Sequence, residues 1–467
     1  MEYHRSHEAW LAEQASIKRL RTEQPDQYER IGAFQHQDIL RHIGITTIPD
    51  QLPTGYIRFR PEDFIVEEID QAGTVATIEP ASVPLIDHTD HRTLYCQLIK
   101  IGIATPEALE RLALALKIDR KQIGYAGLKD GGAVTSQNIS LRGVPADQAL
   151  ALHVDNVILK NLRYGSGAVS TGELRGNRFT LTIRTPEPVV QSELDGHVRQ
   201  ISAGVLNYFG PQRFGSRWLS HFFGRTILQG QYNQTIKSFL TDTNASERKY
   251  VAAIREAVGQ QYGDWAFATE LYGQYPYTFQ HELTVVRHLQ QHPDDWVGAL
   301  TAIQEQTRLW VYAYTSWLVN QTISDLVTNQ QPLPNALPIP LSSQPADLAP
   351  YRGLLEQDQI PEHFITYLRP LPFIRPQTRY VQTRIQPVMH GALSIPAGVI
   401  LSFDLPAGAY ATTVLMNLFT IESGQPAPAW IKADDIDAKQ LLGTGTVAEL
   451  KRGWAQYFTT KEVAVEE

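Results

Sequence analysis

Residues 124–137 read GYAGLKDGGAVTSQ, and no other stretch constrains the chain as much, because it forces a reversal. Asp130 stands before Gly131 and Gly132. Such a run is a hairpin signal, since Asp tolerates turn geometry and Gly takes positive φ without steric cost. The flanking residues supply what the turn joins. Thr105 and Pro106 read as the N-cap and first residue of a helix over TPEALERLALALKI, with Ala108, Leu109, Leu112 and Leu116 at helical spacing. VTSQNISLRG reads as the returning strand. On these residues alone a structural turn is the commoner fate of Asp130, and a catalytic acid the rarer one.

Other runs add strands and helices around this turn. GYIRFRPEDFIVEEI, residues 55–69, alternates apolar and polar positions on both sides of a Pro-Glu-Asp interruption, the pattern of two short strands joined at a bend. Residues 157–184 supply more strand, with Phe179, Leu181 and Ile183 alternating after Gly176-Asn177-Arg178. A helix over VQSELDGHVRQISAGVL then runs into NYFGPQRFG, residues 207–215. Aromatics beside Arg213, with glycines that permit close backbone approach, suit a phosphate-and-base contact surface. Core packing is the other fate open to them, as it is to Phe64 and Phe179. From about 216 to 372 the chain turns to helix-forming runs separated by Pro/Gln-rich loops, whereas residues 1–50 look helical and polar, with a weak apolar stripe of Trp10, Leu11, Ala15, Ile17 and Leu20.

The 467 residues are enough for two or three domains. The longest apolar stretches fall short of the roughly 18 residues that a membrane span needs. The start MEYHRSHEAW lacks the basic and apolar segments of a secretory signal. The protein is therefore expected to be cytoplasmic and not membrane-bound. Cys96, the sole cysteine, leaves no intrachain disulfide and no thiolate zinc cluster. Asp87, His88, Asp90 and His91 read as a solvated loop, not a metal site, because the cluster has no distant partner ligand. A net charge of -8 does not advertise a nucleic-acid binder, yet residues 117–225 hold 14 Lys/Arg against 8 Asp/Glu, an excess that local phosphate contact would need.

Five of these runs, in this order, resemble the motifs of the TruD family of tRNA pseudouridine synthases. They are Pro61-x-Asp63-Phe64-x-Val66-x-Glu68; Lys129-Asp130 with Ala133, Thr135 and Gln137; Gly176-Asn177-x-Phe179; Asn207-Tyr208-Phe209-Gly210-x-Gln212-Arg213-Phe214-Gly215; and Leu405-Pro406-x-Gly408-x-Tyr410-Ala411-Thr412. Residues 313–327, with Ala313, Ser316 and Asn320, resemble a helix of the family's insertion. The resemblance implies an α+β fold: a pseudouridine synthase domain on a mixed antiparallel sheet, plus a TruD-specific α/β insertion domain. The implied layout is an N-terminal helical extension over 1–50, the first part of the catalytic domain over 51–206, the insertion over 207–372, and the C-terminal part of the catalytic domain with its acidic tail over 373–467. It also implies isomerisation of uridine to pseudouridine in tRNA, at position 13, by a monomer with no cofactor, metal or bound nucleotide.

Asp130 is the implied catalytic carboxylate, and Phe64, Arg58, Asn177, Phe179, Asn207 and Arg213 are the implied substrate-binding residues. Arg58, where relatives carry a basic residue, is expected to be either the charge partner of Asp130, because a carboxylate must stay ionised inside a cleft, or a phosphate contact. Lys129 would point the other way on an extended strand. Arg178, Arg213 and Arg217 are expected to carry phosphate contacts, and Lys432 and Lys439 are not. Gly131 and Gly132 depart from the basic or polar residues of relatives, as do Leu206, Met416 and Asn417 from their counterparts. The alternatives are a non-catalytic RNA-binding or RNA-folding protein on the same scaffold and, more distantly, a glycoside hydrolase using Glu67/Glu68 or Asp434/Asp435. Adjacent acids on a strand face opposite ways, which disfavours the hydrolase.

Overall fold

The apolar runs become the strands β1 (Thr54–Tyr56), β2 (Phe64–Ile69), β3 (Thr93–Ile101), β4 (Ile123–Tyr125), β5 (Val134–Arg142), β6 (Val157–Gly165), β7 (Gly176–Arg184), β8 (Val205–Leu206), β9 (Ala336–Pro338), β10 (Tyr380–Gln382), β11 (Arg384–Ile385), β12 (Val388–Ile395), β13 (Gly398–Pro406) and β14 (Thr420–Glu422). The computed structural model describes residues 2–28, 36–49, 51–79, 93–424 and 427–454, with the backbone alone for 2–11. The Asp87, His88, Asp90, His91 cluster and the acidic tail lie outside the described residues. Two units emerge. One combines the residues up to Ile48 with Tyr208–Thr383, and the other combines Pro49–Asn207 with the residues from Arg384 onward.

The second unit is the α+β one. Its mixed sheet runs in the order β12-β13-β7-β2-β5-β3-β6, with β1 joined to β14 and β7, and β4 joined to β5. The pairs β2–β5 and β1–β14 are parallel, and the other pairs are antiparallel. Successive strand residues face opposite sides, so the register sorts the sheet into two faces. The front carries Phe64, Val66 and Glu68, with Val66 beside Phe179 and Thr135, Phe179 beside Phe403, and Thr135 beside Lys100. The back carries Glu67 beside Arg178, which in turn lies beside Asp404.

Each face is closed by helices whose apolar side is set by sequence. Helix Thr105–Leu116 lays Ala108, Leu109 and Leu112 on Leu94, Leu98 and Ile139 of the front. Helices Gln191–Ser202 and Ala411–Leu415 bring Leu194, Ile201, Val414 and Leu415 onto Leu181, Ile183 and Leu401. On the back, Val447 and Leu450 cover Ile65, Ile99, Ile101 and Val134. Between the two front helical covers lie β2 and β5, the strands on which the candidate site is built.

The first unit is mainly helical, with one antiparallel pair, β9 with β10. Helix Ser220–Leu228 crosses helix Gln304–Thr328 at Gly224, where an added Cβ would lie 2.1 Å from the Trp310 carbonyl oxygen, so only glycine permits this approach. The N-terminal segment is part of this unit and not a free extension. Glu13 accepts hydrogen bonds from the N–H groups of Tyr277 (2.7 Å) and Thr278 (3.1 Å). Residues 373–383, expected with the catalytic sheet, also belong here: Thr383 N–H donates to the Asn335 carbonyl at 3.0 Å. The short β10–β9 pairing holds them, a link between residues over 40 positions apart that local pattern does not reveal.

Candidate active site

The predicted helix and returning strand form at Thr105–Leu116 and Val134–Arg142, but the reversal between them is not a two-residue hairpin. β4 pairs with β5, and residues 126–133 make the connection. Neither Gly131 nor Gly132 uses a positive φ. An added Cβ would lie 3.5 Å from Ala104 N at Gly131 and 3.7 Å from Arg58 Cδ at Gly132, both ordinary contacts. The loop is shaped by side chains instead. Thr105 is the first helical residue and Ala104 the N-cap, so the Thr105 hydroxyl is turned away from capping. It accepts the Lys129 N–H at 2.9 Å and lies within donor range of the Gln137 amide oxygen (3.2 Å) and the Lys129 carbonyl (3.3 Å). Gln137 Nε2 donates to the Gly127 carbonyl at 3.1 Å.

Two buried lysines flank Asp130. Lys129 Nζ lies 2.6 Å from Glu68 Oε2, both side chains 3% exposed or less, and Glu68 Oε1 also accepts the Asn138 N–H at 3.0 Å. Lys100, fully buried in the run LIKI of β3, donates to the Ile103 carbonyl at 2.8 Å and to the Asp130 carbonyl. Lys100 belongs to none of the five motifs. The signal for it is a lysine inside the apolar run LIKI.

The Asp130 side chain meets Arg58. Nη2 of Arg58 lies 2.8 Å from Oδ1 of Asp130, at 18% and 30% side-chain exposure, which makes Arg58 the charge partner of this carboxylate. Oδ2 of Asp130 has no hydrogen-bond partner among the described residues. Arg58 adopts φ +60°, a backbone state uncommon for a residue with a side chain and a recurrent mark of functional sites. Its guanidinium lies 4.2 Å from the centroid of the Phe64 ring. Behind Phe64, the Phe179 ring stands edge-on at 6.3 Å, and Phe403 lies 5.7 Å beyond Phe179. A column thus runs from the core through three rings to the guanidinium and the carboxylate. Phe64 (1% exposed) and Phe179 (5%) are core residues, so an open stacking platform at Phe179 is not what the structure provides.

Asn177 shares the front face with Phe179, and its Oδ1 is buried with no partner among the described residues. Asn207 is buried at the end of the segment that leaves the catalytic unit. In the helical unit, Asn320 accepts the Phe209 N–H (2.8 Å) and donates to the carbonyls of Phe209 and Ile43 (2.9 Å each). The Ala-x-x-Ser-x-x-x-Asn helix therefore clamps the Asn-Tyr-Phe-Gly run. Tyr208 and Phe214 of that run are core residues, and half-buried Arg213 lies 5.5 Å from the Phe209 ring.

Two expected phosphate contacts are otherwise engaged. Arg178, on the back of the sheet, forms a two-pronged pair with Asp404 at 2.8 and 3.0 Å, which raises its pKa and, with His390, holds that of Asp404 low despite burial. Strand alternation separates it from Asn177 and Phe179. Arg217 donates to the carbonyls of Asp242 and Phe239 and shares Glu247 with Arg255. Burial, then Arg255, pushes its pKa down to about 10. Much of the local basic excess is thus spent internally. Lys439 is no surface charge either: it is 2% exposed and pairs with Glu67 and Glu79. Glu67 and Glu68 face opposite ways into separate ion pairs, so they cannot flank one bond.

The family model for tRNA pseudouridine synthase D (TruD) matches residues 48–338. The chain belongs to the TruD family. A probable tRNA pseudouridine synthase D of Methanopyrus kandleri is 28% identical over 337 residues, 68% of this chain and 83% of that protein. The tRNA pseudouridine synthase D of Syntrophotalea carbinolica is 30% identical over 281 residues, 58% of this chain and 64% of that protein. The crystal structure of the putative TruD of Methanosarcina mazei matches with a TM-score of 0.62 at 23% identity, covering 82% of this chain and 98% of that one, and so shares the fold. The Leu405–Thr412 run lies beyond the stretch matched by the family model, yet β13 pairs with β7 along its whole length and so belongs to the TruD sheet.

Proposed function

We propose that this TruD protein isomerises uridine to pseudouridine in tRNA, at position 13, with Asp130 as the catalytic carboxylate. The observation that carries this reading is the state of Asp130: one oxygen is tied to Arg58 at 2.8 Å, and the other has no partner among the described residues. A carboxylate paired with a guanidinium through one oxygen and open at the other suits a group that must meet a sugar.

The reaction breaks the bond from N1 of uracil to C1′ of the ribose, turns the base, and joins C5 to the same carbon, with loss of the C5 proton matched by protonation of N1. Asp130 either attacks C1′, forming an ester that the base later displaces, or takes the C2′ proton and returns it on closure. Both routes leave the atoms balanced with no redox partner. Arg58 holds the carboxylate, and the Phe64 ring under its guanidinium fixes its height. Phe179 supports Phe64 from within the core. Asn177, on the same face, supplies an amide to the extruded base, and Asn207 and Arg213 contribute contacts to the RNA.

The test is pseudouridine mapping on tRNA incubated with purified protein and no added cofactor, for the wild type and Asp130→Asn. Asparagine keeps shape and turn propensity while removing the carboxylate. The expected result is modification at one uridine by the wild type, none by the variant, and nearly unchanged tRNA affinity. Turnover by Asp130→Asn near the wild-type rate would refute the mechanism, and modification at another uridine would refute the position.

A further inference from the structure

We propose that Lys100 is a positioning residue for the reaction, its buried ammonium fixing the main chain of Asp130. The proposal rests on the assignment of Asp130 made above. Lys100 lies on the front face of the sheet, beside Thr135, and is fully buried. An apolar residue would fill that place in LIKI at no electrostatic cost, whereas taking an ammonium out of water costs several kcal/mol unless its donors are used. They are used on two carbonyls that matter to the loop. Ile103 belongs to the turn that opens helix Thr105–Leu116, and Asp130 is the reacting residue.

The same turn provides Thr105, whose hydroxyl accepts the Lys129 N–H. The peptide units entering Lys129 and leaving Asp130 are therefore held from one short segment of chain. A reacting group needs such precision, because misplacement by about 1 Å costs on the order of 100-fold in rate. The two lysines differ in what they hold: Lys129 pairs with Glu68 at 2.6 Å, while Lys100 donates to the Asp130 main chain.

The experiment compares Lys100→Met with the wild type in thermal unfolding, tRNA affinity, single-turnover rate, and the ¹³C shift of the Asp130 main-chain carbonyl in the free protein. The proposal expects a folded variant with tRNA affinity within about 2-fold and a rate down by on the order of 100-fold. It also expects the carbonyl shift to change as its hydrogen bond from Lys100 is lost. Lys100→Arg should recover part of the rate. A rate within about 3-fold of wild type, or an Asp130 carbonyl shift that does not move, would overturn the proposal. If Lys100→Met does not fold, Lys100→Gln is put through the same measurements with the same criteria, and failure of both to fold would overturn it in favour of a purely structural lysine. The carbonyl shift needs no turnover. A wild type that makes no pseudouridine therefore defeats the functional assignment without deciding the fate of Lys100.

Discussion

Phe179→Ala separates the two fates of an aromatic ring near a reacting group. The ring is 5% exposed, with Phe64 at 6.3 Å and Phe403 at 5.7 Å. Truncating a core phenylalanine costs about 3–5 kcal/mol, part of it the cavity left behind. In a unit of this size each kcal/mol lowers Tm by about 2–4 °C, so the expected fall is roughly 6–20 °C. Phe179→Leu, which keeps most of the volume, should cost about 1.5 kcal/mol or less. Activity should follow the packing, because Phe64 carries the Arg58 guanidinium at 4.2 Å and loses its support. A ring stacked on the base would behave differently, losing about 1–3 kcal/mol of binding with stability intact. Thermal and urea unfolding, set beside tRNA affinity at a temperature where both proteins are folded, decide the matter. A Phe179→Ala protein that melts within about 2 °C of wild type while binding tRNA tenfold more weakly would refute the core assignment.

Lys439→Met should destabilise the protein by about 3–5 kcal/mol, measured by urea unfolding, since it strands the buried Glu67 carboxylate; the double variant with Glu67→Gln should recover most of the loss. Arg178→Gln, on the back of the sheet with Asp404, should leave the salt dependence of tRNA binding unchanged. Arg213→Gln should flatten it by about one unit in a plot of log affinity against log salt. Two unchanged slopes would refute the Arg213 contact, and two flattened slopes would refute the internal assignment of Arg178.

Much of the catalytic unit was legible from local pattern. The bend at Pro61–Asp63 between β1 and β2, the helix from Thr105 and the strand from Val134 all follow from periodicity and turn chemistry. The Arg58–Asp130 pair was anticipated from the need for a cation, although its residues are 72 positions apart. What stayed hidden were choices that only packing makes. Phe179 had two plausible surroundings, and the position of Phe403 in the sheet decides between them. Arg217 looks like any surface arginine until Glu247 and Arg255 close around it. Arg178 is instructive because alternation along a strand puts it opposite Asn177 and Phe179, so nearness to them in sequence is not nearness on one face. Lys100 stayed hidden because a lone lysine in the run LIKI reads like any solvated charge until the Ile103 and Asp130 carbonyls meet it.

The order of strands sets the order in which the sheet can be completed during synthesis. β7 needs β13 along its whole length, yet the chain between them leaves to build the helical unit, over Tyr208–Thr383, before β13 is made. A nascent chain that has emerged only through β7 therefore presents an unpaired strand edge while roughly two hundred further residues are translated, which takes on the order of ten seconds or more. Bare edges of this kind template association with other chains. The wait falls on β7, the strand that carries Asn177 and Phe179, so premature termination anywhere in the helical unit would release a polypeptide with its reaction loop made and its sheet left open to its neighbours.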